Sequence, residues 1–278
     1  MKVTIAKSSG FCFGVQRALN IALQQASSGN DIYMLGDIVH NDTVVKLIKR
    51  SGIKRTFKLN QGKGKTLLIR AHGASLLTFN KAKKLGYNII DATCPMVKEI
   101  HKMAREAEKK GFNIIIIGDK KHDEVRGIAG QLKKKAVIID AGGKIPISQI
   151  KGIKKAAVVA QSTQDIEKVR TILEMLKKYI PGVKFYNTIC RPTRIKQQEI
   201  RCLPLENDAM VIIGSRKSAN TKRLYEISKS LNRRTYWVNS KKELKPGYFK
   251  DLHSVGVAAG ASTPKESIQE ITGYLSAI

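Results

Sequence analysis

The sequence predicts an α/β fold of three pseudo-repeated units. Short apolar runs alternate with segments of helical period, which is the pattern of parallel strands joined by crossover helices. Cys12, Cys94 and Cys190 each follow such a run and precede a helix-like segment. Each cysteine is followed 28 residues later by a polar residue, and these residues are His40, His122 and Ser218. One α/β unit used three times, each presenting a thiolate to a shared centre, explains this repetition.

Eleven apolar runs are the strand candidates, and most are bounded by turn-forming or polar residues. In chain order they cover residues 3–5, 32–35, 67–69, 88–90, 113–117, 136–139, 156–159, 183–186, 210–213, 236–238 and 255–259. Several of the helical segments between them end near a glycine, as at Gly52, Gly86 and Gly111. Glycine adopts the left-handed conformation that closes many helices, so these positions are predicted helix ends.

Polar residues stand where many of the predicted strands end and the next helix begins. They are Cys12, His40, His72, Cys94, His122, Thr163, Cys190, Ser218, Asn220 and Ser262. Ligands of open α/β sheets bind outside the carboxyl ends of the strands, where helix N-termini offer free N–H groups. We therefore expect units at residues 1–94, 95–190 and 191–278, packed around a central cavity because no linker rich in Pro, Gly or Ser separates them.

Length and composition predict a globular cytoplasmic protein. The chain has 278 residues, of which 42% are hydrophobic, enough for two or three small α/β units. It contains no apolar stretch near 18 residues and no hydrophobic secretory signal, so we expect neither a membrane span nor export. Four cysteines without paired spacing do not form a disulfide framework, and a reducing compartment leaves them available as thiolates.

The net charge of +29 admits several interpretations. The simplest is a solvated, lysine-rich surface, because the lysines are spread through almost every polar helix face. A second is steering of an acidic electron donor. A third is nucleic-acid binding, but aromatic residues are only 6% and there is one Trp, so the stacking surface for single strands is small.

Three thiolates from three units indicate a metal site. A thiolate at a helix N-terminus has a lowered pKa and is ready to bind metal. Structural zinc takes a fourth protein ligand, often from a short Cys-x-x-Cys pair, and this chain has no such pair. The clustered cysteines of ordinary ferredoxins are also missing. A [4Fe–4S] cluster held by three cysteines would leave one iron open to a substrate oxygen.

The remaining strand-end residues are rich in hydrogen-bond donors, which suits a phosphate or diphosphate at helix N-termini. The adjacent Asp123 and Glu124 offer a proton donor for a reduction. Plainer explanations exist: a lone cysteine is often a core residue, and Ser218, Thr163 and Ser262 are also suitable helix caps. The fourth cysteine, Cys202, lacks a strand-end setting, and we assign it to the core.

Nine segments together resemble one known family, the 4-hydroxy-3-methylbut-2-enyl diphosphate reductases of the non-mevalonate isoprenoid pathway. In order from residue 10 to residue 264 they are GFCFGVQRAL, IVHN, RAHG, DATCP, HDEVRG, QSTQ, NTIC, SANTKRL and AGASTP. The resemblance implies a trefoil-like arrangement of three α/β units around an oxygen-sensitive [4Fe–4S] cluster, one per chain. It also implies reductive dehydration of the substrate to isopentenyl diphosphate and dimethylallyl diphosphate.

The resemblance implies a role for each strand-end residue. The implied cluster ligands are Cys12, Cys94 and Cys190. The implied diphosphate ligands are His40, His72, His122, Ser218, Asn220 and Ser262. Glu124 would relay a proton to the departing hydroxyl, and Thr163 would fix that hydroxyl. The implied electron donor is reduced ferredoxin or flavodoxin, both acidic, and nothing demands more than a monomer.

Three departures from the family pattern matter. After the third cysteine the chain keeps Thr193 and Gln197 but has Pro192 where the family usually has alanine and Lys196 where it usually has arginine. Ala219 replaces the second of two serines that typically precede the asparagine. Asp123 replaces a proline. None of these removes an implied cluster ligand or the implied acid, so we expect retained activity with altered affinity for the substrate.

Two alternatives from other classes make different predictions. A nucleic-acid-binding protein would show tight, steeply salt-dependent binding to DNA or RNA. A zinc-dependent hydrolase would be colourless and active in air. Neither requires the repeated cysteine spacing.

Overall fold

The computed structural model describes residues 1–29 and 31–278, and its alternating strands and helices confirm the α/β class. The strands are β1 (Lys2–Ile5), β2 (Ile32–Leu35), β3 (Lys54–Thr56), β4 (Thr66–Ile69), β5 (Asn88–Asp91), β6 (Asn113–Ile117), β7 (Val137–Ile139), β8 (Lys155–Ala160), β9 (Gly182–Tyr186), β10 (Ala209–Ile213), β11 (Thr235–Val238) and β12 (Ser254–Ala259). Each of the eleven predicted runs overlaps one of them, and β3 is an addition.

Helices connect nearly all of the strands, as parallel pairing requires. They are α1 (Phe13–Ala26), α2 (Asp42–Arg50), α3 (Leu76–Lys84), α4 (Pro95–Lys109), α5 (Asp123–Ala129), α6 (Ile147–Ile150), α7 (Ile166–Tyr179), α8 (Arg191–Cys202), α9 (Ala219–Leu231) and α10 (Lys265–Ser276). Short 3₁₀ turns cover Leu203–Leu205, Lys241–Glu243 and Pro246–Tyr248. No helix in the described residues is long and apolar enough to cross a membrane.

The described strands form three four-stranded parallel sheets with one repeated order. Sheet I runs β3-β2-β4-β5, sheet II runs β7-β6-β8-β9, and sheet III runs β11-β10-β12-β1. The strand at the end of each order, β5, β9 or β1, is followed along the chain by one of the three repeated cysteines. The repetition seen in the cysteine spacing therefore coincides with a repeated sheet topology.

The first strand differs from the grouping made by cysteine spacing. Strand β1 pairs with β12, with Val3 opposite Val255, so it completes sheet III and does not join the strands of residues 32–91. The fourth strand of the last unit therefore comes from the N-terminal end of the chain. The exact unit boundaries at residues 94 and 190 stay a prediction.

The central strands β4, β6, β8, β10 and β12 bury both faces, as expected for parallel sheets covered by helices. In β6, Ile115 and Ile117 pack with residues of α7, whereas Ile114 and Ile116 pack with residues of α4 and α5. In β10 the odd positions likewise face α10 and the even positions face α8 and α9. Burial of one such isoleucine contributes roughly 1.5–3 kcal/mol, so these strands fix the carboxyl ends from which the polar residues emerge.

The described residues divide into two compact bodies. The terminal body consists of Met1–Gln16, Val39–Leu47 and Arg191–Ile278, and it contains sheet III. The middle body consists of Arg17–Ile38 and Ile48–Cys190, and it contains sheets I and II.

Candidate active site

The three repeated cysteines occupy equivalent local positions. Cys12 directly precedes α1, Cys94 is the N-cap residue of α4, and Cys190 directly precedes α8. All three are half-buried. The N-terminal end of a helix carries partial positive charge, so each position suits a negatively charged ligand group.

The backbone around the cysteines repeats as well. The N–H group of each cysteine donates a hydrogen bond of 3.0–3.1 Å to the carbonyl of a residue that precedes another predicted site residue. The acceptors for Cys12, Cys94 and Cys190 are Ala261, Ala71 and Ser162, and the residues that follow these acceptors are Ser262, His72 and Thr163. Each thiol is therefore tied by backbone to a predicted polar partner within its own body.

Glu124 in the middle body is the most deeply buried carboxyl among the predicted site residues, with 2% of its surface exposed. Its Oε1 accepts a 2.6 Å hydrogen bond from the Ser162 N–H, and its Oε2 accepts a 2.8 Å hydrogen bond from the Ser162 hydroxyl. Burial raises the pKa of Glu124, and the two bonds from Ser162 oppose that rise. A carboxyl of raised pKa holds its proton closer to neutral pH, as a general acid requires.

His72 and His122 lie together in the middle body. Their rings meet edge to face with centroids 5.2 Å apart. His122 is the N-cap of α5, and its Nδ1 accepts a hydrogen bond from the Glu124 N–H at 3.2 Å. This bond places the hydrogen-free nitrogen of the ring toward the helix, so Nε2 is the nitrogen that donates elsewhere.

The hydroxyl of Thr163 is held by a neighbour. Gln161 Nε2 donates to Thr163 Oγ1 at 3.1 Å, which leaves the hydroxyl hydrogen able to donate to another group. Thr163 is half-buried and does not cap α7, whose N-cap is Asp165. The helix-cap explanation for this threonine is therefore wrong.

The terminal body holds the other predicted diphosphate ligands. Ser218 caps α9 by accepting from the Thr221 N–H at 3.3 Å, so the helix-cap explanation applies to this serine. Asn220, in the first turn of α9, is 4% exposed, and within the described residues its Nδ2 has no hydrogen-bond partner. Ser262 donates to the His40 carbonyl at 3.4 Å, which brings these two predicted ligands into contact.

Two side chains that support the site were not assigned that role from the sequence. Ser162 lies within the QSTQ segment, and its buried contact with Glu124 depends on a pairing 38 residues away along the chain. Arg70, two residues before His72, pairs with Asp123 at 2.8 Å beside a cleft of about 250 Å³. Asp123 therefore links the segments that carry His72 and His122.

Lys196 is buried among backbone carbonyls of the terminal body. Its Nζ donates to the carbonyls of Ser8, Gly10 and Ala259, all in the terminal body. The side chain is 4% exposed, and burial lowers its pKa to about 8, an effect that the nearby Cys12 sulfur opposes. These bonds go to backbone carbonyls, two of them in the segment before Cys12. Any effect of Lys196 on diphosphate affinity would therefore be indirect.

Two further residues differ in burial from ordinary expectation. Cys202, assigned to the core, is exposed at the last residue of α8, so that assignment is wrong. Ile200 in the same final turn is buried, and Cys202, two positions later, lies on the opposite side of the helix. His101 in α4 is 6% exposed, and burial lowers its pKa to about 4.

Comparison with known proteins agrees with the resemblance seen in the motifs. The family model described as LytB protein matches residues 3–276. The 4-hydroxy-3-methylbut-2-enyl diphosphate reductase of Geotalea uraniireducens is 34% identical over 278 residues, covering 100% of this chain and 98% of the relative. The enzyme of the same name from Aquifex aeolicus is 35% identical, covering 99% of this chain and 96% of the relative.

Solved structures agree in fold. One, of (E)-4-hydroxy-3-methylbut-2-enyl diphosphate reductase, described as the terminal enzyme of the non-mevalonate pathway, has a TM-score of 0.73 at 34% identity over 100% of both chains. Another, the E-1-hydroxy-2-methyl-but-2-enyl-4-diphosphate reductase from Plasmodium falciparum, has a TM-score of 0.90 at 28% identity, covering 99% of this chain and 88% of that one. The chain therefore belongs to the LytB protein family of 4-hydroxy-3-methylbut-2-enyl diphosphate reductases.

Proposed function

We propose that this chain reduces (E)-4-hydroxy-3-methylbut-2-enyl diphosphate to isopentenyl diphosphate and dimethylallyl diphosphate. The reaction consumes two electrons and two protons. One proton leaves with the hydroxyl as water, and the other is added to carbon. Family membership supports the reaction class. The observation within the fold that carries the proposal is the buried Glu124 carboxyl held by Ser162, because this reduction needs a proton donor shielded from water.

Cys12, Cys94 and Cys190 are the proposed ligands of one [4Fe–4S] cluster. Their donor chemistry fits, since thiolates are the usual protein ligands of such clusters and each cysteine stands at the start of a helix. When bound, the cluster supplies the two electrons one at a time and an iron that polarises the substrate hydroxyl.

His40, His72, His122, Ser218, Asn220 and Ser262 are the proposed ligands of the diphosphate. The amide nitrogen of Asn220 supports this role, because a buried donor with no partner in the described residues gains a hydrogen bond from a phosphate oxygen. Ser218 and Asn220 also stand at the N-terminal end of the 13-residue helix α9, where anions are favoured.

Glu124 and Thr163 are the proposed residues of proton transfer. Thr163 would orient the substrate hydroxyl, and its own oxygen is fixed by the Gln161 amide. Glu124 would pass its proton to that hydroxyl so that it departs as water. The raised pKa of Glu124 supports this role, since more of the carboxyl is protonated at a given pH.

The proposal extends to partners and location. Reduced ferredoxin or flavodoxin would donate the electrons, and the net charge of +29 would attract either acidic protein. We propose a cytoplasmic monomer with three α/β units at residues 1–94, 95–190 and 191–278, apart from the first strand. No role for nucleic acid or membrane is proposed.

Anaerobic purification followed by iron and sulfide analysis tests the proposal. We expect a brown protein with about four irons per chain that consumes the substrate with a reduced electron donor. Substitution Glu124→Gln is expected to keep the iron and abolish most turnover. A colourless protein that binds zinc instead, or binds DNA with a steep salt dependence, would overturn the proposal and favour one of the alternatives.

A further inference from the structure

Lys196 forms a polar contact that the proposed function does not use. Its ammonium group donates to three backbone carbonyls, of Ser8, of Gly10 at 3.1 Å and of Ala259 at 3.3 Å. An ammonium carries three N–H donors, so all of them are satisfied in a side chain that is only 4% exposed. A buried charge is stable only with such partners, which makes this contact specific in place and direction.

A second side chain of α8 binds the same segment. Glu199, three residues after Lys196 on α8, accepts from the Ser8 N–H at 3.0 Å and from the Ser8 hydroxyl at 2.5 Å. Ser9 Oγ in turn accepts from the Ala259 N–H at 3.2 Å. Two side chains of opposite charge on one helix therefore bind the N–H and C=O groups of a single segment, Ser8–Gly10.

Side-chain partners matter here because the segment has no sheet or helix of its own. Residues 7–11 lie between β1 and α1, where backbone groups need partners from elsewhere. Gly10 has a φ of +98°, a conformation open to glycine, and a Cβ placed there would lie 3.3 Å from Ile268. The turn is thus fixed on one side by packing and on the other by Lys196 and Glu199.

Cys12 follows this turn by two residues. Its N–H donates to the Ala261 carbonyl at 3.1 Å, so the cysteine is anchored both before and at its own position. The Lys196 ammonium bonds the carbonyl of Gly10, two residues before Cys12, and the Cys12 sulfur opposes the lowering of the Lys196 pKa by burial. A cation beside a thiol favours the thiolate and offsets part of the negative charge that a thiolate-bound cluster carries.

We propose that Lys196 is a positioning residue for Cys12: it fixes the turn that presents the thiolate and supplies a buried positive charge beside it. The inference rests on the proposed role of Cys12 as a cluster ligand. Lysine stands here where the family pattern usually has arginine, and the inference places this difference beside the cluster and not beside the diphosphate. Lysine suits this place because a compact ammonium satisfies three converging carbonyls, whereas a guanidinium is a planar fork.

The test compares anaerobically prepared holoproteins. The variants are Lys196→Met, which removes the charge, Lys196→Arg, which keeps it, and Glu199→Gln, which weakens the hydrogen bonds to Ser8. Arg194→Met is the matched control, because Arg194 is exposed on the same helix. The readouts are the rate of iron loss to a chelator, the midpoint potential of the cluster, and the melting temperature.

We expect iron loss from Lys196→Met to be about tenfold faster or more, as for other residues that orient metal ligands. Its midpoint potential should fall, because a positive charge near the cluster favours the reduced form. Lys196→Arg should keep the parental potential, because the charge stays, and should lose iron at an intermediate rate, because a planar guanidinium fits the three carbonyls less well. Glu199→Gln should lose iron faster without a fall in potential, because it removes a negative charge, and Arg194→Met should match the parent protein.

Parental iron loss and potential in a folded Lys196→Met variant would overturn the inference. If that variant does not fold, Glu199→Gln decides, and a parental rate of iron loss in it would equally overturn the inference. Alkylation separates this failure from failure of the proposed function. In cluster-free protein, Lys196→Met should slow the alkylation of Cys12 relative to Cys94 even if the parent protein binds no iron; equal rates would remove the proposed contact itself.

Discussion

The Glu124 carboxylate accepts hydrogen bonds from both the N–H and the hydroxyl of Ser162. Burial raises the pKa of Glu124 and these bonds partly oppose the rise, so Ser162 makes the carboxyl give up its proton more readily than burial alone would allow. Ser162 also accepts the Cys190 N–H through its carbonyl, so one residue contacts the proposed acid and a proposed cluster ligand.

Substitution Ser162→Ala removes only the hydroxyl bond. The pKa of Glu124 should rise further, so the carboxyl stays protonated to higher pH. If Glu124 is the acid, the fall in turnover on the alkaline side of the pH–rate profile should move to higher pH. Turnover measured across pH with a chemical reductant checks this. Glu124→Gln is the companion variant and should lose most turnover at every pH while keeping its iron.

An unmoved alkaline limb in Ser162→Ala, together with near-normal turnover of Glu124→Gln, would exclude Glu124 as the essential proton source. The iron content of both variants serves as the control, because loss of the cluster would lower turnover without any change in proton transfer.

Much of this fold was predictable from the sequence because buried parallel strands are apolar throughout. Strand β3 was missed because its residues, Lys54, Arg55 and Thr56, are polar and mostly exposed at the edge of sheet I. Charged residues are usual on an edge strand, where they discourage pairing with another chain. Strand β1 was found, but its membership of sheet III depends on a pairing across the whole chain that no local pattern indicates.

The candidate site divides in the same way. The repeated spacing located Cys12, Cys94 and Cys190 before their helices, because helix starts are encoded locally. The partners of those residues were not predictable. Lys196 contacts Ser8, 188 positions away, and no local sequence pattern around either residue predicts that contact.

Asp123 offers a test of an ion pair that replaces a proline. Asp123→Asn should break the 2.8 Å pair with Arg70 and lower the free energy of unfolding by about 1 kcal/mol, since both side chains are partly exposed. Asp123→Pro loses the same pair, but residue 123 is the first of α5, where proline is favoured. This gain should offset the loss, so the free energy of unfolding should remain close to that of the parent protein. Urea denaturation measures both. A larger loss in Asp123→Pro than in Asp123→Asn would contradict this explanation.

Ala219 tests the proposed diphosphate ligands. Ala219→Ser adds a hydroxyl to the first turn of α9, between Ser218 and Asn220. The KM for the substrate should fall by up to about tenfold, because one hydrogen bond to a charged group contributes roughly 1.5 kcal/mol. Inhibition by inorganic diphosphate should strengthen in parallel while kcat changes little. Unchanged KM and unchanged inhibition would place residue 219 outside the diphosphate site.

His101 predicts how stability depends on pH. Burial, followed by the charge of Arg105, lowers the pKa of His101 from 6.5 to about 4, and Asp91 opposes this. Its Nε2 also has no hydrogen-bond partner in the described part of the chain, so a proton there would be poorly accommodated. Between these two pKa values the unfolded chain binds a proton that the folded chain excludes. The free energy of unfolding should therefore fall as the pH is lowered from 6.5 to about 4.

The expected loss is at most about 3 kcal/mol, the energy equivalent of the pKa difference. Urea denaturation at pH values from neutral to acidic should show this slope in the parent protein and a shallower one in His101→Gln. Substitution of the exposed His253 by Gln is the matched control and should leave the slope as it is. Equal slopes in the parent protein and His101→Gln would mean that other groups govern acid stability.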